Sequence, residues 1–330
     1  MSNDQQPKQK FRLVTRSDFD GLVCAVLLKE LDLVDDILFV HPKDMQDGKV
    51  EITARDITTN LPYVPSAHIA FDHHLSESSR TGGAGLNHII DPNAPSAARV
   101  VYDYYGGRMR FENVSAAMMD AVDKADSAQF SHEEILHPTD WVLLNYLMDA
   151  RTGLGRFRDF TISNYQLMMK LIDACREMSI QQILQMPDVV ERVELYREHE
   201  QLAAAQIKKC ATQTDNVVVL DLRKEETIFA TNRFMIYALF PTSNVSIHVM
   251  WGLRQQNTVF AVGKSILDRS SKKNVGEICL KYGGGGHMAA GTCQVDNAMA
   301  VQVQAELVSL LKDSADDAAP SQTTENEASL

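Results

Sequence analysis

The stretch IAFDHHL, residues 69–75, reads as a buried apolar strand that stops on an aspartate and two histidines. Three metal-capable side chains in a row are costly to bury and contribute nothing to an apolar core. The plainer reading is a turn with a satisfied Asp72 and two surface histidines. What the rest of the chain supplies as partners decides between the two.

Working outward from this strand, residues 11–130 alternate strand-like and helix-like segments. FRLVT (Phe11–Thr15) reads as a strand and GLVCAVLLKELD (Gly21–Asp32) as a helix. DILFV, KVEIT and HIAFD follow as strands, then SAARVVYDYYG and SAAMMDAVDKAD as helices. This alternation predicts an α/β domain with a doubly wound, mainly parallel sheet. Such sheets bind ligands beyond the carboxyl ends of their strands. Residues 131–212 are rich in helix signals, ending in the long amphipathic run from Val189. From Asn216 the strand candidates NVVVLDL, SIHVMWGL and TVFAVGKSI, with the helices NVGEICLKYGG and AMAVQVQAELVSLLK, predict a smaller second α/β domain. The expected organisation is a disordered segment 1–10, a first domain 11–188, a linker helix 189–212, a second domain 213–312 and an acidic disordered tail 313–330.

Composition narrows the function. The 330 residues carry a formal charge of -12. Asp313, Asp316, Asp317, Glu325 and Glu327 follow Lys312 with no basic residue among them, and the body remains acidic without them. Tight, sequence-independent binding of long nucleic acid needs basic surface and is not expected. A small phosphorylated ligand in a locally positive pocket is compatible with this charge. None of the 5 cysteines forms a CxxC pair, as expected of a reducing, cytoplasmic setting. The N-terminus has no apolar signal core and no run is long enough to span a membrane.

Partners for the DHH tripeptide sit at other predicted element ends. SDFDG follows the first strand, with Asp18 and Asp20 two apart and Gly21 allowing a turn into the helix. A helix N-cap would explain one of these aspartates. Asp56 follows KVEIT, where a lone Asp is also a common turn residue. Asp123 and Asp126 end a predicted helix, opposing its macrodipole, so a cation is expected beside one of them. Carboxylates and imidazole at these ends form a ligand set for Mg²⁺ or Mn²⁺, the imidazole favouring Mn²⁺. The chemistry common to such clusters is phosphoester hydrolysis, with two ions about 3.5–4 Å apart. KYGGGGHMAAG, residues 281–291, reads either as a helix end and loop or as a backbone anion cradle carrying His287. In MDARTGLGRFRDF, Arg151, Arg156 and Arg158 on a glycine-broken loop suit phosphate or a guanine edge, unless they merely pair with Asp149 and Asp159.

SDFDG, Asp56, FDHH, ADSAQF and GGGGHMAAG, in this order, resemble the DHH phosphoesterase superfamily, in the branch with a DHH-associated C-terminal domain. The resemblance covers residues 11–312 and is nearest to exopolyphosphatase-related and oligonucleotide-degrading members. It implies an active site in the cleft between two domains. Asp18 would serve a first metal site, Asp20, His73 and Asp126 a second, and Asp56 would bridge them. His74 would lie beside the metals. Arg269 and the loop Gly284, Gly285, Gly286 and His287 would bind the substrate's far end. One position departs from the pattern: Arg16 stands where the first motif commonly has a metal-binding histidine. A guanidinium does not ligate a cation. Either water or another residue, such as His41 or Asp123, compensates, or the first ion binds only with substrate, or Arg16 itself contacts phosphate in a one-ion mechanism.

The expectation is a Mn²⁺-dependent (or Mg²⁺-dependent) phosphodiesterase holding one or two ions. A metal-bound hydroxide would convert linear dinucleotides or very short oligonucleotides, such as pGpG or pApA, to mononucleotides. An exopolyphosphatase, a 3′-phosphonucleotide phosphatase and a degenerate nucleotide sensor are the alternatives. No long nucleic acid and no membrane is expected as a partner, and a homodimer stays open.

Overall fold

The computed structural model describes residues 10–74, 77, 85–157 and 159–313. The expected disordered ends, up to residue 9 and from residue 314, lie outside them, as does Arg158. The chain divides into two compact units, residues 1–200 with 230–233, and residues 201–229 with 234–330.

The first unit is built on β1 (Phe11–Arg16), β2 (Val34–Val40), β3 (Asp56–Thr59), β4 (Ile69–Asp72) and β5 (His88–Ile90). All pair in parallel, in the order β2-β1-β3-β4-β5. Successive residues of a strand face opposite sides. Leu13 and Val14 are both fully buried, so both faces of β1 are covered, as a parallel sheet requires. One cover is α1 (Phe19–Glu30), in which every residue from Phe19 to Leu28 is buried. A helix apolar all round belongs inside. The other face carries Val14 with Met45, Ile52, Leu61 and Ala67, the first of these from α2 (Pro42–Gln46).

The sequence reading differs from the structure at β3. KVEIT is not a strand; the strand begins at Asp56 and ends at Thr59. The chain leaves β1 to pair with β2 on one side and returns to pair with β3 on the other. The topological switch point therefore lies between the carboxyl ends of β1 and β3. Thr15 and Thr59 mark it: the Thr59 hydroxyl donates to Thr15 Oγ1 at 2.7 Å.

Helices α3 (Ala97–Tyr104) and α4 (Ala116–Asp126) follow β5, then α5 (His132–Leu136), α6 (Asp140–Met148), α7 (Asn164–Glu177) and α8 (Ile180–Ile183). The long predicted helix is α9 (Pro187–Cys210). In it Arg192 is 1% exposed, donating to the carbonyls of Asp188 and Ile162 and to Asn164 Oδ1.

The second unit holds β6 (Ala211–Thr214), β7 (Val217–Asp221), β8 (Val245–Trp251), β9 (Thr258–Lys264), β10 (Gly285–His287) and β11 (Ala290–Val295). Its sheet runs β10-β11-β9-β8-β7-β6, parallel between β7 and β8 and antiparallel elsewhere. One face packs Val217, Ile247, Val249, Phe260 and Val262 against α11 (Val275–Leu280) and α12 (Ala300–Leu311), with α10 (Met235–Leu239) earlier in the chain. Among the described residues no helix is long and apolar enough to cross a membrane.

Candidate active site at the carboxyl ends of the parallel strands

Each strand around the switch point delivers polar side chains at or just past its last residue. From β1 come Arg16, Asp18 and Asp20, from β3 Asn60, and from β4 Asp72, His73 and His74.

Asp18, not Asp20, is the N-cap of α1: its Oδ1 accepts the Gly21 N–H at 3.0 Å. Gly21 is needed for close approach, since a Cβ there would overlap the Arg16 carbonyl oxygen. Arg16 Nε lies 2.8 Å from Asp18 Oδ2, and the Asn60 amide donates to Asp18 Oδ1 at 3.2 Å. Asn60 takes a left-handed φ of 54°, a conformation that asparagine tolerates better than most residues. Its Oδ1 is buried without a hydrogen-bond partner.

Asp20 is 2% exposed and reaches across to α3, accepting the N–H groups of Ala97 at 3.0 Å and Ala98 at 2.8 Å. A carboxylate at a helix N-terminus is favoured by the dipole. Burial, and then repulsion from Asp126 and Asp18, still push its carboxyl well above the usual range.

Asp126, the last residue of α4, places Oδ2 2.9 Å from His73 Nε2. Ligand atoms of Asp20, His73 and Asp126 all lie within 4.8 Å of one another. His73 Nδ1 lies 3.1 Å from the Ala94 carbonyl, which can accept only from an N–H. That bond fixes the proton on Nδ1 and turns Nε2 toward the carboxylates, as in metal-ligating histidines. Nε2 is buried and faces the Asp126 carboxylate. Burial works against a charged imidazole, yet Asp126 and Asp20 hold His73 up at about 9. Two crowded carboxylates facing one buried imidazole nitrogen fit a divalent cation of the Mn²⁺ or Mg²⁺ kind.

His74 Nδ1 lies 2.7 Å from Asp72 Oδ1, with Asp72 1% exposed and the His74 side chain 41% exposed. A buried carboxylate that accepts the Nδ1 proton orients the ring and leaves Nε2 to exchange a proton. The sequence reading gave Asp72 no role of its own; its signal was only its place in the DHH tripeptide.

Asp56 is not part of this cluster. It opens β3 opposite Arg12, four residues before Asn60, or about 13 Å along a strand. Its Oδ1 accepts from Arg12 Nε at 2.6 Å and its Oδ2 from Thr53 at 2.7 Å. Asn60 takes the place at the carboxyl end that Asp56 was expected to fill, and the sequence reading missed it. Neither proposed substitute for the missing ligand is available. Asp123 accepts from Arg99 and Ser96, and His41 caps α2 through Nδ1.

Arg151, just after α6, ion-pairs with Asp149 at 2.8 Å, and its charge also favours the Asp18 carboxylate. Arg156 lies over Gly153, at which any Cβ would overlap its guanidinium. Two tyrosines that could stack on a base, Tyr146 and Tyr104, pack within the protein. Tyr146 is 1% exposed, and Tyr104 packs on Phe71. Tyr104 lies seven residues beyond the site end of α3, about 10 Å along the helix.

In the second unit the glycine run is a hairpin more than an open cradle. Gly285, Gly286 and His287 pair with Thr292, Gly291 and Ala290. A Cβ on Gly284 would overlap Thr292 and Cys293, and one on Gly276 would meet Gly286. The space beside Gly285 is open. His287 Nδ1 accepts from the Ala289 N–H at 3.4 Å, and Arg269 Nε donates to the Ile266 carbonyl at 3.2 Å within its own exposed loop.

No protein-family model and no curated protein matches the chain. Among solved structures, the pGpG-specific phosphodiesterase PggH from Vibrio cholerae is 62% identical, with a TM-score of 0.82, covering 92% of this chain and 99% of that one. CDC45 from Entamoeba histolytica is 8% identical with a TM-score of 0.47, covering 93% and 96%. An uncharacterized protein from Helicobacter pylori is 10% identical with a TM-score of 0.32, covering 92% and 98%.

Proposed function

The chain belongs to the family of the pGpG-specific phosphodiesterase of Vibrio cholerae, a phosphoric ester hydrolase, and from that premise we propose that it cleaves linear dinucleotides of the pGpG kind to mononucleotides. The observation that carries this reading is identity along nearly the whole of both chains, too high for a shared fold alone. The motifs SDFDG, FDHH and GGGGHMAAG support placing the family within the DHH phosphoesterase superfamily. The free cysteines agree with a reducing cytoplasm.

Water adds to phosphorus, and the P–O bond to the leaving sugar oxygen breaks as that oxygen gains a proton. Asp20, His73 and Asp126 would hold a divalent cation, Mn²⁺ or Mg²⁺, which supplies Lewis acidity toward the phosphodiester. Ala94 keeps His73 in the ligating tautomer. Asp72 holds the His74 ring so that Nε2 gives or takes a proton at the bond being broken. Arg16 and Arg151 concentrate positive charge beside the carboxylates, where an anionic substrate would otherwise be repelled. We assign the Gly285–His287 hairpin and Arg269 to substrate affinity rather than to bond breaking.

The test is hydrolysis with Mn²⁺ of a linear 5′-phosphorylated dinucleotide, a cyclic dinucleotide, a longer RNA and polyphosphate, side by side. Fast mononucleotide release from the linear dinucleotide alone is expected. Orthophosphate from polyphosphate, or equal cleavage of the long RNA, would overturn the reading.

A further inference from the structure

Two places for positive charge lie side by side at this end of the sheet, and the chain provides for them differently. The first is centred on Asp18. Its Oδ2 faces Arg16 Nε at 2.8 Å, and its Oδ1 takes the Gly21 N–H and the Asn60 amide at 3.0 and 3.2 Å. A carboxylate offers about four lone-pair sites, and two hydrogen bonds and an ion pair already engage Asp18. The ion-pair partner carries a full, permanent charge. The second place is bounded by Asp20, His73 and Asp126. Among the described residues no lysine or arginine ion-pairs with either of its carboxylates, and the nitrogen that faces them is His73 Nε2, 2.9 Å from Asp126 Oδ2.

Asn60 separates the two places chemically. Because its amide nitrogen points at Asp18, the end of β3 offers Asp18 a donor instead of a further negative charge. The other atom of the same amide, Oδ1, is buried and unpartnered in a residue 2% exposed, an acceptor waiting for a group that enters the site. Arg16 is about one-third exposed (35%). A guanidinium has five N–H donors, and Nε is the atom nearest Asp18. Donors turned away from that contact match two oxygens of a phosphate.

We infer that the Arg16 guanidinium is the resident cation of the Asp18–Asn60 position, so that the chain binds one divalent ion, at Asp20, His73 and Asp126, and meets the substrate phosphate with Arg16. This rests on the metal-centre reading above. A second dication at Asp18 would have to expel Arg16 and would gain an amide where a carboxylate is needed.

The experiment is Mn²⁺ binding to the intact chain, counted by electron paramagnetic resonance of free Mn²⁺ and by equilibrium dialysis, without substrate. The expected count is about one ion per chain. Asp20→Asn should weaken it at least about 100-fold, while Asp18→Asn, which keeps the helix cap, should leave it in place. Two ions bound by the native chain, or one ion that depends on Asp18 and not on Asp20, overturns the inference but leaves a metal-dependent enzyme. No bound ion at all overturns the metal-centre reading itself. The double variant Arg16→His with Asn60→Asp should raise the count to two; a count that stays at one shows that these residues do not exclude the second ion. Native stoichiometry needs no variant, so the test survives any folding defect.

Discussion

Arg12 Nε lies 2.6 Å from Asp56 Oδ1 at the amino end of β3, with Asp56 2% exposed. Burial acts against ionisation, but Arg12 and Thr53 hold the Asp56 carboxyl below its usual range. The pair therefore ties β1 to β3 and takes no part in the site at their other end. Asp56→Asn should cost about 2 kcal/mol of stability, because it leaves a partly exposed guanidinium without its counter-charge. Urea denaturation reads that loss. Turnover should stay within about threefold of native, since no transition-state contact is touched. A collapse of activity in folded Asp56→Asn protein would return Asp56 to the catalytic machinery.

His74→Ala removes the proton-exchanging ring and should lower kcat by about 10²–10⁴-fold with little change in KM. Asp72→Asn keeps the ring but not its orientation, and about 10–100-fold is expected. Both should still bind Mn²⁺, because neither belongs to the Asp20, His73 and Asp126 group. Steady-state kinetics with a linear dinucleotide, beside Mn²⁺ binding, checks both. Native kcat in His74→Ala would leave the ring without a chemical role.

The glycine hairpin can be divided by substitution. Gly284→Ala should destabilise the second unit, because the new methyl would overlap Thr292 and Cys293. Overpacking of this kind costs about 1–3 kcal/mol. Gly285→Ala meets open space and should keep native stability while raising KM for the dinucleotide. Unchanged KM in Gly285→Ala, measured beside its melting curve, would remove the hairpin from substrate binding.

His248, on β8, is pushed down to about 4 by burial. An unfolded chain titrates an ordinary histidine near 6.5. Between these values the unfolded state holds the extra proton, so stability is lost as pH falls from about 6.5 toward 4 and is intact above. The urea midpoint should drop more between pH 7 and 5 in the native chain than in His248→Gln. Equal drops would mean that the ring titrates normally in the fold.

Much of the molecule was legible in the residues alone. The first strand, the apolar helix after SDFDG, the strand that stops at FDHH and the long helix through Val189–Cys210 stand as their periodicity predicts. Charge placed against expectation at element ends marked the segments that carry Asp20, His73 and Asp126, the resemblance grouped these three, and the fold brings them within one ion's reach. Local chemistry marked the segments because a buried run ending in ionisable groups, or an acid at a helix C-terminus, carries its own cost and so its own signal.

At β3 local chemistry was silent. In the segment DITTN every residue is buried, and an aspartate before the run looks as suitable as an asparagine after it. Which end of the strand faces the site is set by its pairing with β1, Arg12 against Asp56 and Thr15 against Thr59. That register is a long-range property, made by hydrogen bonds between strands 44 residues apart, as in the Thr59–Thr15 contact. Sequence determined that this protein gathers carboxylates and histidines at the ends of a parallel sheet. Only tertiary structure decided that Asn60 stands there in place of Asp56, and that Arg16 turns its charge onto Asp18.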